Sequence, residues 1–305
     1  MNKTILLTGS NGFVGSFLLK SLVNFDYKIL ILLREDSNLS RIEKIIDNHS
    51  TVKEIKISNY QECSKIFENN KIDYVAHLAT NYIKEDRFTD IPSIIDCNIA
   101  FPAHLLELSK KYNVKGFINT GTFFEYDQSQ NSFNEATEIK PYNFYAKSKN
   151  AFQKLLESYK DSFPLLTLKL FSPYGPMDNN KVIPYMINSM INDKEISLLN
   201  PSESCDFTYV EDIPSAFIQA IKHIETINLK KEINICSGTY SRISEVISIL
   251  ETILNKDARI SYKTNDIKPH KSSSFKVAKD ELGWEPVTSL EDGLLKTVNY
   301  YKGLI

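Results

Sequence analysis

Thr4-Ile5-Leu6-Leu7-Thr8-Gly9-Ser10-Asn11-Gly12-Phe13-Val14-Gly15 is the stretch that decides the fold. Its first five residues are β-prone and apolar. Glycines then stand at 9, 12 and 15, and Ser16–Val23 carries helical periodicity. Strand, glycine turn and helix in that order build a phosphate-binding loop. Gly9 makes the tight turn, Gly12 lets a pyrophosphate approach the backbone, and Gly15 lets the helix close on the strand. The positive end of the helix then faces the phosphate charge. The spacing is Gly-x-x-Gly-x-x-Gly, so the signal lies in the strand-to-helix setting more than in the glycines.

Further along, Lys28–Leu33 reads as the second strand. Folds that prefer NAD carry an acid at its end to hold the ribose hydroxyls. Here Leu33 and Arg34 stand there. A planar guanidinium matches a 2′-phosphate, so NADP(H) is expected over NAD(H), with Glu35 and Asp36 tempering the local positive field. Ser40–Asn48 is a helix and Val52–Ile57 a strand, with Ser58 and Asn59 placed for an adenine edge. Gln61–Asn69 is helical. Asp73–Thr80 is a buried strand ending in small residues, and His77 within it reads as a core histidine. Ile94–Tyr112 is a long helix, with Asn98 polar near its start. Gly116–Thr120 is the next strand, and the Thr120 hydroxyl at its C-terminal end faces the ligand crevice.

Pro141 precedes Tyr142-Asn143-Phe144-Tyr145-Ala146-Lys147-Ser148-Lys149, which opens another helix. Of the 16 tyrosines, Tyr145 alone has a lysine four residues on, so phenol and ammonium share a helix face. A fixed cation beside a phenol is expected to pull its pKa down and fit it for proton transfer to a carbonyl oxygen. Leu165–Phe171 is a strand. Ser172-Pro173-Tyr174-Gly175-Pro176 breaks the pattern and starts the substrate side. Helices follow at Val182–Ile191, Ile213–His223, Ser244–Leu254, Val277–Leu282 and Leu290–Tyr301, with strands at Ile196–Leu199 and Glu232–Cys236.

Alternating strands and helices over the first ~170 residues make an α/β protein with a doubly wound parallel sheet. The expected division is a dinucleotide domain over 1–171, to which 205–236 return, and a smaller C-terminal α/β substrate domain from 172–204 and 237–305. The 305 residues are 42% hydrophobic and 24% charged, with a net charge of −2. Nothing in that balance asks for nucleic acid or an anionic membrane as partner. Cys63, Cys97, Cys205 and Cys236 stand singly, without metal-ligand spacing, as free thiols in a reducing compartment. The N-terminal apolar run is too short for a signal peptide, and no stretch reaches the ~20 apolar residues of a membrane span. A cytoplasmic location is expected.

These segments together resemble the extended short-chain dehydrogenases/reductases, in the nucleotide-sugar epimerase, dehydratase and reductase branch with its Rossmann-type fold. The resemblance runs nearly the whole chain. It is carried by Thr8-Gly9-x-x-Gly12-Phe13-x-Gly15, His77-Leu78-Ala79, Asn98, Thr120, Tyr145-x-x-x-Lys149, Tyr174-Gly175-Pro176, Asp206-Phe207-x-Tyr209-Val210-x-Asp212 and Glu281-Leu282-Gly283-Trp284-x-Pro286. It implies Tyr145 as proton donor, Lys149 on the nicotinamide ribose, and Thr120 on the same sugar oxygen as Tyr145. The implied cofactor contacts are Gly9, Asn11, Gly12, Phe13, Val14 and Arg34 around the phosphates and ribose, then Leu78, Ala79, Thr80, Asn98, Tyr145, Lys149 and Phe171. Thr122 and Lys181 are implied on the substrate side. A homodimer formed by Ile94–Tyr112 and the Tyr145 helix is also implied.

Two departures narrow the reading. The dehydratases of the family follow the catalytic Thr with Asp-Glu, whereas Gly121 and Thr122 stand here, which argues against dehydration. Many members have Arg before the Asp-Phe-x-Tyr-Val segment to reach the substrate phosphate. This chain has Cys205, which leaves Lys268, His270 and Lys271 as candidate cations. His77-Leu78-Ala79-Thr80, Asn119-Thr120-x-x-Phe123-Phe124 and Lys181-Val182-Ile183-Pro184-Tyr185 are similar to 4-ketoreductases of the CDP-abequose and CDP-paratose synthase type, in deoxysugar biosynthesis for lipopolysaccharide O-antigen. The alternatives are a 4-epimerase with tightly bound NAD and a non-catalytic dinucleotide-binding regulator.

Overall fold

The structure is a computed structural model and describes residues 3–178, 181–225 and 232–303. It begins with strand β1 (Lys3–Thr8), helix α1 (Phe13–Leu22), β2 (Tyr27–Arg34), α2 (Glu43–Asn48), β3 (Val52–Ile57), α3 (Cys63–Asn69) and β4 (Tyr74–His77). Next come α4 (Ile91–Ile95) and α5 (Phe101–Lys111), joined through a π-turn at Asp96–Ala100. β5 (Gly116–Thr122), β6 (Ser132–Phe133), α6 (Phe144–Glu157) and β7 (Leu165–Leu170) follow. The C-terminal part holds α7 (Val182–Ile191), β8 (Ile196–Leu198), β9 (Ser204–Asp206), α8 (Ile213–His223), β10 (Glu232–Ile235), β11 (Tyr240–Arg242), α9 (Ile243–Leu254), β12 (Ile260–Tyr262), β13 (Ser272–Ser273), α10 (Lys276–Leu282) and α11 (Leu290–Gly303).

Seven strands form one sheet in the order β10-β7-β5-β4-β1-β2-β3, every neighbouring pair parallel. Parallel strands covered on both faces read as unbroken apolar runs, and β2 is buried from Ile29 to Leu33. One face packs on α1, α8 and α10 through Leu18, Leu22, Phe217 and Trp284. The other packs on α3, α5 and α6 through Phe67, Leu105, Leu106 and Phe152. The strand order reverses between β1 and β4, and there the C-terminal strand ends open a crevice. This is the doubly wound Rossmann-type sheet expected from the sequence.

A third core joins α7, α9 and α11 through Met186, Ile187, Val246, Leu250, Leu294 and Val298. Trp284, within 237–305, packs instead on the sheet side. Its indole donates to the Asp212 carbonyl at 3.1 Å and the Ser215 hydroxyl at 2.9 Å.

Boundaries shift where local chemistry overrides periodicity. α2 starts at Glu43, not Ser40, because the Asn38 side chain accepts the Ser40 amide at 2.8 Å and holds a turn. A 3₁₀ turn at Tyr60–Glu62 precedes α3. β4 stops at His77, three residues before the expected end, while β5 runs two residues further, to Thr122. The long helix starts at Ile91 and carries the π-turn just ahead of Pro102. Proline has no N–H to donate back to Asn98, and its ring crowds that carbonyl, so the helix widens there.

Candidate active site

At the glycine loop Gly9 turns the chain with φ +72°, and a Cβ there would lie 2.5 Å from the Ala79 amide. A Cβ at Gly15 would lie 2.0 Å from the Gly9 carbonyl. These two glycines are required by the protein itself. Gly12 is different: its φ is −73°, and a Cβ would meet only the Gly9 oxygen, at 3.1 Å. Its open side suits a backbone that something else must approach. Gly12 caps α1 without a side chain, and the first turn holds no acidic residue to meet the positive helix end. The Ser10 hydroxyl beside them is buried without a protein partner. This donor set fits a dinucleotide pyrophosphate.

Asn11, Phe13 and Val14 are half-buried on this loop. Arg34 ends β2 with its side chain 81% exposed, 3.5 Å from Asp36. Arg41, not foreseen from the sequence, donates to the Asn11 carbonyl at 3.3 Å and the Met177 carbonyl at 2.9 Å. It ties the loop to the segment after β7, and its place after an irregular turn gave no periodic signal.

Tyr145 and Lys149 lie on the inner face of α6, only 7% and 3% exposed. Asn143 sets the helix start: its side-chain oxygen accepts the Ala146 amide at 2.8 Å, and its amide donates to the Lys84 carbonyl at 3.0 Å. The expectation for the phenol is corrected here. Burial, with the charges of Tyr82 and Glu125, pushes the Tyr145 pKa up, while hydrogen bonds from Thr80 and Thr122 pull against it. Burial lowers Lys149 to about 8, opposed by Glu125 and Cys97. Desolvation outweighs the i, i+4 cation because both groups have left water. The phenol therefore holds its proton at neutral pH.

The two β5 threonines differ. Thr120 donates to the His77 carbonyl at 2.9 Å. Thr122 is the hydroxyl beside Tyr145. Glu125 fixes it, accepting the Thr122 amide at 2.8 Å while the Thr122 oxygen accepts the Phe124 amide at 3.3 Å. Glu125 is itself buried, 3.9 Å from the buried Lys169. Gly121 points the opposite way, where a Cβ would lie 2.8 Å from Lys169 and 2.9 Å from Thr167.

Among the cofactor candidates, Leu78, Ala79 and Thr80 leave β4 at the crevice. Asn98 spends its side chain on protein: it accepts from Asn81 at 2.7 Å and Thr80 at 3.1 Å, and donates to the Asn81 carbonyl at 3.1 Å and Ser148 at 3.0 Å. It positions the loop after β4 against α6, because the π-turn rotates it inward. The Phe171 ring is fully buried against Phe123, Tyr126 and Phe133 and is committed to that aromatic cluster. His77 is a core residue, bonded to Thr8 at 2.8 Å among Phe101, Phe117 and Phe152, and burial drives its pKa well down.

A cavity of about 1100 Å³ adjoins this site, lined among others by Lys84, Asp178, Lys181, Tyr185, Asn200 and Cys205. Lys181 donates to the Pro173 carbonyl at 3.0 Å, pairs with Asp178 at 3.4 Å and lies 4.8 Å over the Phe13 ring. Lys268 pairs with Glu203 at 3.7 Å, and His270 is exposed. Lys271 donates to the Gln128 carbonyl at 2.9 Å. Burial pushes the Cys205 thiol up to about 11, against the lowering fields of Lys84 and Lys271. Lys84, on the loop after β4, is a cation the sequence reading missed.

The NAD dependent epimerase/dehydratase family matches residues 5–236. The chain belongs to this family. The relatives include a CDP-abequose synthase of Salmonella muenchen, 29% identical over 311 residues and covering 98% of each chain. A UDP-glucuronate 4-epimerase of Thermodesulfobacterium geofontis is also 29% identical, over 97% of this chain and 95% of its own. Among solved structures, UDP-glucuronic acid 4-epimerase from Bacillus cereus in complex with NAD superposes with a TM-score of 0.87, at 25% identity and 99% coverage of both chains. Among the described residues, no helix is long and apolar enough to cross a membrane.

Proposed function

We propose that this family member reduces the C4 keto group of a nucleotide-linked deoxysugar, of the CDP-4-keto-3,6-dideoxyhexose type, with NADPH as cofactor. The carrying observation is the buried phenol of Tyr145, which keeps its proton at neutral pH and shares a helix face with Lys149. A protonated phenol is the form that delivers a proton to a developing alkoxide. The loop amides from Gly12 to Gly15 would hold the pyrophosphate, Arg34 a 2′-phosphate, and Lys149 the ribose. The cofactor, when bound, supplies the hydride. Thr122 orients the phenol, and Lys149 in its charged form stabilises the phenolate left behind. Thr120, the hydroxyl first expected on that oxygen, has its one proton on the His77 carbonyl and would reach the sugar only by releasing that bond. The likeness to the CDP-abequose synthase supports the sugar class. Phe123 and Phe124 follow the Thr122 hydroxyl beside Tyr145, so no acid stands directly after it, which speaks against a dehydratase.

A second reading, a 4-epimerase with tightly bound NAD, is favoured by the equally similar UDP-glucuronate 4-epimerase. Mixing the purified protein with NADPH and a panel of nucleotide-4-ketosugars separates the two. Stoichiometric NADPH oxidation with one member supports the reductase. No oxidation, with NAD released on denaturation, puts the epimerase first. A homodimer and a cytoplasmic location belong to the same proposal.

A further inference from the structure

The Tyr145 phenol is the inner end of a row of aromatic rings. Tyr82 meets the Tyr145 ring edge-on at 4.9 Å and 88°. Phe124 stacks on Tyr82 at 6.5 Å and 17°, and Tyr142 meets Phe124 edge-on at 5.3 Å and 86°. Tyr82 and Tyr142 remain 44% and 45% exposed. The row is held in place. The Asn98 side chain accepts the Asn81 amide at 2.7 Å, Asn143 donates to the Lys84 carbonyl, and Asp86 accepts the Phe144 amide at 2.8 Å, so the loop carrying Tyr82 is pinned to the start of α6. Phe124 is backed by Phe123 at 4.3 Å. Beside the phenol the Thr80 and Thr122 hydroxyls hydrogen-bond and Glu125 acts through its charge, while Asp178 and Cys205 act on Tyr82 and Asp86 on Tyr142; the ring faces of the row themselves are carbon.

A sugar with its reacting oxygen at Tyr145 must lay a ring edge against these rings. A hydroxyl pressed on aromatic carbon loses water without gaining a partner, and a carboxylate loses more. A methylene or methyl group gains contact there. We infer that Tyr82, Phe124 and Tyr142 form a specificity wall that selects nucleotide sugars stripped of hydroxyls beside the reacting carbon over fully hydroxylated or carboxylated ones. The inference rests on the reading of Tyr145 as the group that addresses a nucleotide sugar.

Calorimetric titration without turnover tests it, using CDP-3,6-dideoxyglucose, CDP-glucose and free CDP, and the UDP counterparts. The wild-type protein should bind the dideoxysugar at least about tenfold tighter than the glucose form. Phe124→Ser and Tyr142→Ser should reduce that preference to within about twofold while leaving CDP affinity unchanged, and Phe124→Leu should retain it. Equal wild-type affinity for the two sugars, failure of the dideoxysugar to bind, or a preference surviving both serine variants would each overturn the wall. The wild-type comparison needs no variant to fold. Failure of the reductase reading looks different: the preference for the dideoxysugar stands, yet no ketosugar oxidises NADPH.

Discussion

Gly12 and Gly15 lie three residues apart in one loop, yet alanine should act on them in opposite ways. At Gly15 the new Cβ would sit 2.0 Å from the Gly9 carbonyl, a backbone atom that cannot swing aside. The gain in helix propensity is about 1 kcal/mol, and forcing backbone apart costs about 3 or more, for a net loss near 2 kcal/mol. At Gly12 the contact is 3.1 Å, and a shift of a few tenths of an ångström relieves it. That change should cost at most about 1 kcal/mol. Dinucleotide at one hundred times its Kd stabilises a binder by about 2.7 kcal/mol. With about 2.1 cal/mol/K of unfolding entropy per residue over 305 residues, this is a Tm rise of roughly 4 °C. Thermal unfolding with and without NADPH is the assay. Gly12→Ala should start within about 2 °C of wild type and lose nearly all of the rise, because the Cβ stands where the pyrophosphate approaches. Gly15→Ala should start about 3 °C lower. A Gly12→Ala protein that keeps the full rise would refute the pyrophosphate reading of this loop, and a Gly15→Ala protein with wild-type Tm would refute the packing argument.

Replacing Tyr145 by Phe should lower turnover by about 10²–10⁴-fold in NADPH oxidation, with dinucleotide affinity held within about twofold; near-normal turnover would remove Tyr145 from its role. Lys149, lowered to about 8 from 10.5, binds fewer protons folded than unfolded between those values. Stability should therefore rise as pH goes from about 8 to 10.5, by up to about 3 kcal/mol, and Lys149→Met should lack that rise in paired urea titrations. In the same window kcat/KM should fall as Lys149 loses its charge. Arg34→Glu should weaken NADPH binding at least about tenfold while leaving NADH nearly unchanged, read as two Kd values. The buried Asp212 accepts the Val287 amide at 3.1 Å, the Thr288 amide at 3.0 Å and the Thr288 hydroxyl at 2.9 Å. Asp212→Ala should cost about 3 kcal/mol in urea unfolding, with Asp212→Asn costing less.

The parallel sheet was legible because each strand is a run of apolar residues closed by a turn or a helix, and the doubly wound order follows from that alternation. The Tyr145/Lys149 pair and the glycine loop were legible because their spacing is local. The phenol's titration was not, because burial by Tyr82 and its neighbours comes from chain far away in sequence. The same holds for Asn98, whose inward turn depends on a helix defect at Pro102, and for Thr122, which takes its place from the Glu125 cap. The short strands β6, β9 and β13 carry too few residues for any period to show.

Asp206 gathers three donors from beyond the family match: the Ser237 and Gly238 amides at 2.7 and 2.9 Å, and the Ser273 hydroxyl. Ser272 and Ser273 lie alongside Ser132 and Phe133, and α10 with Trp284 closes one face of the sheet. The two halves are thus interleaved like the fingers of clasped hands. A recombinant graft that exchanges everything after residue 236 for a relative's sequence would import foreign packing into the seven-stranded sheet half. Substrate preference should therefore transfer between family members only as a patchwork, with the 272–284 stretch left in place, and never at a single crossover.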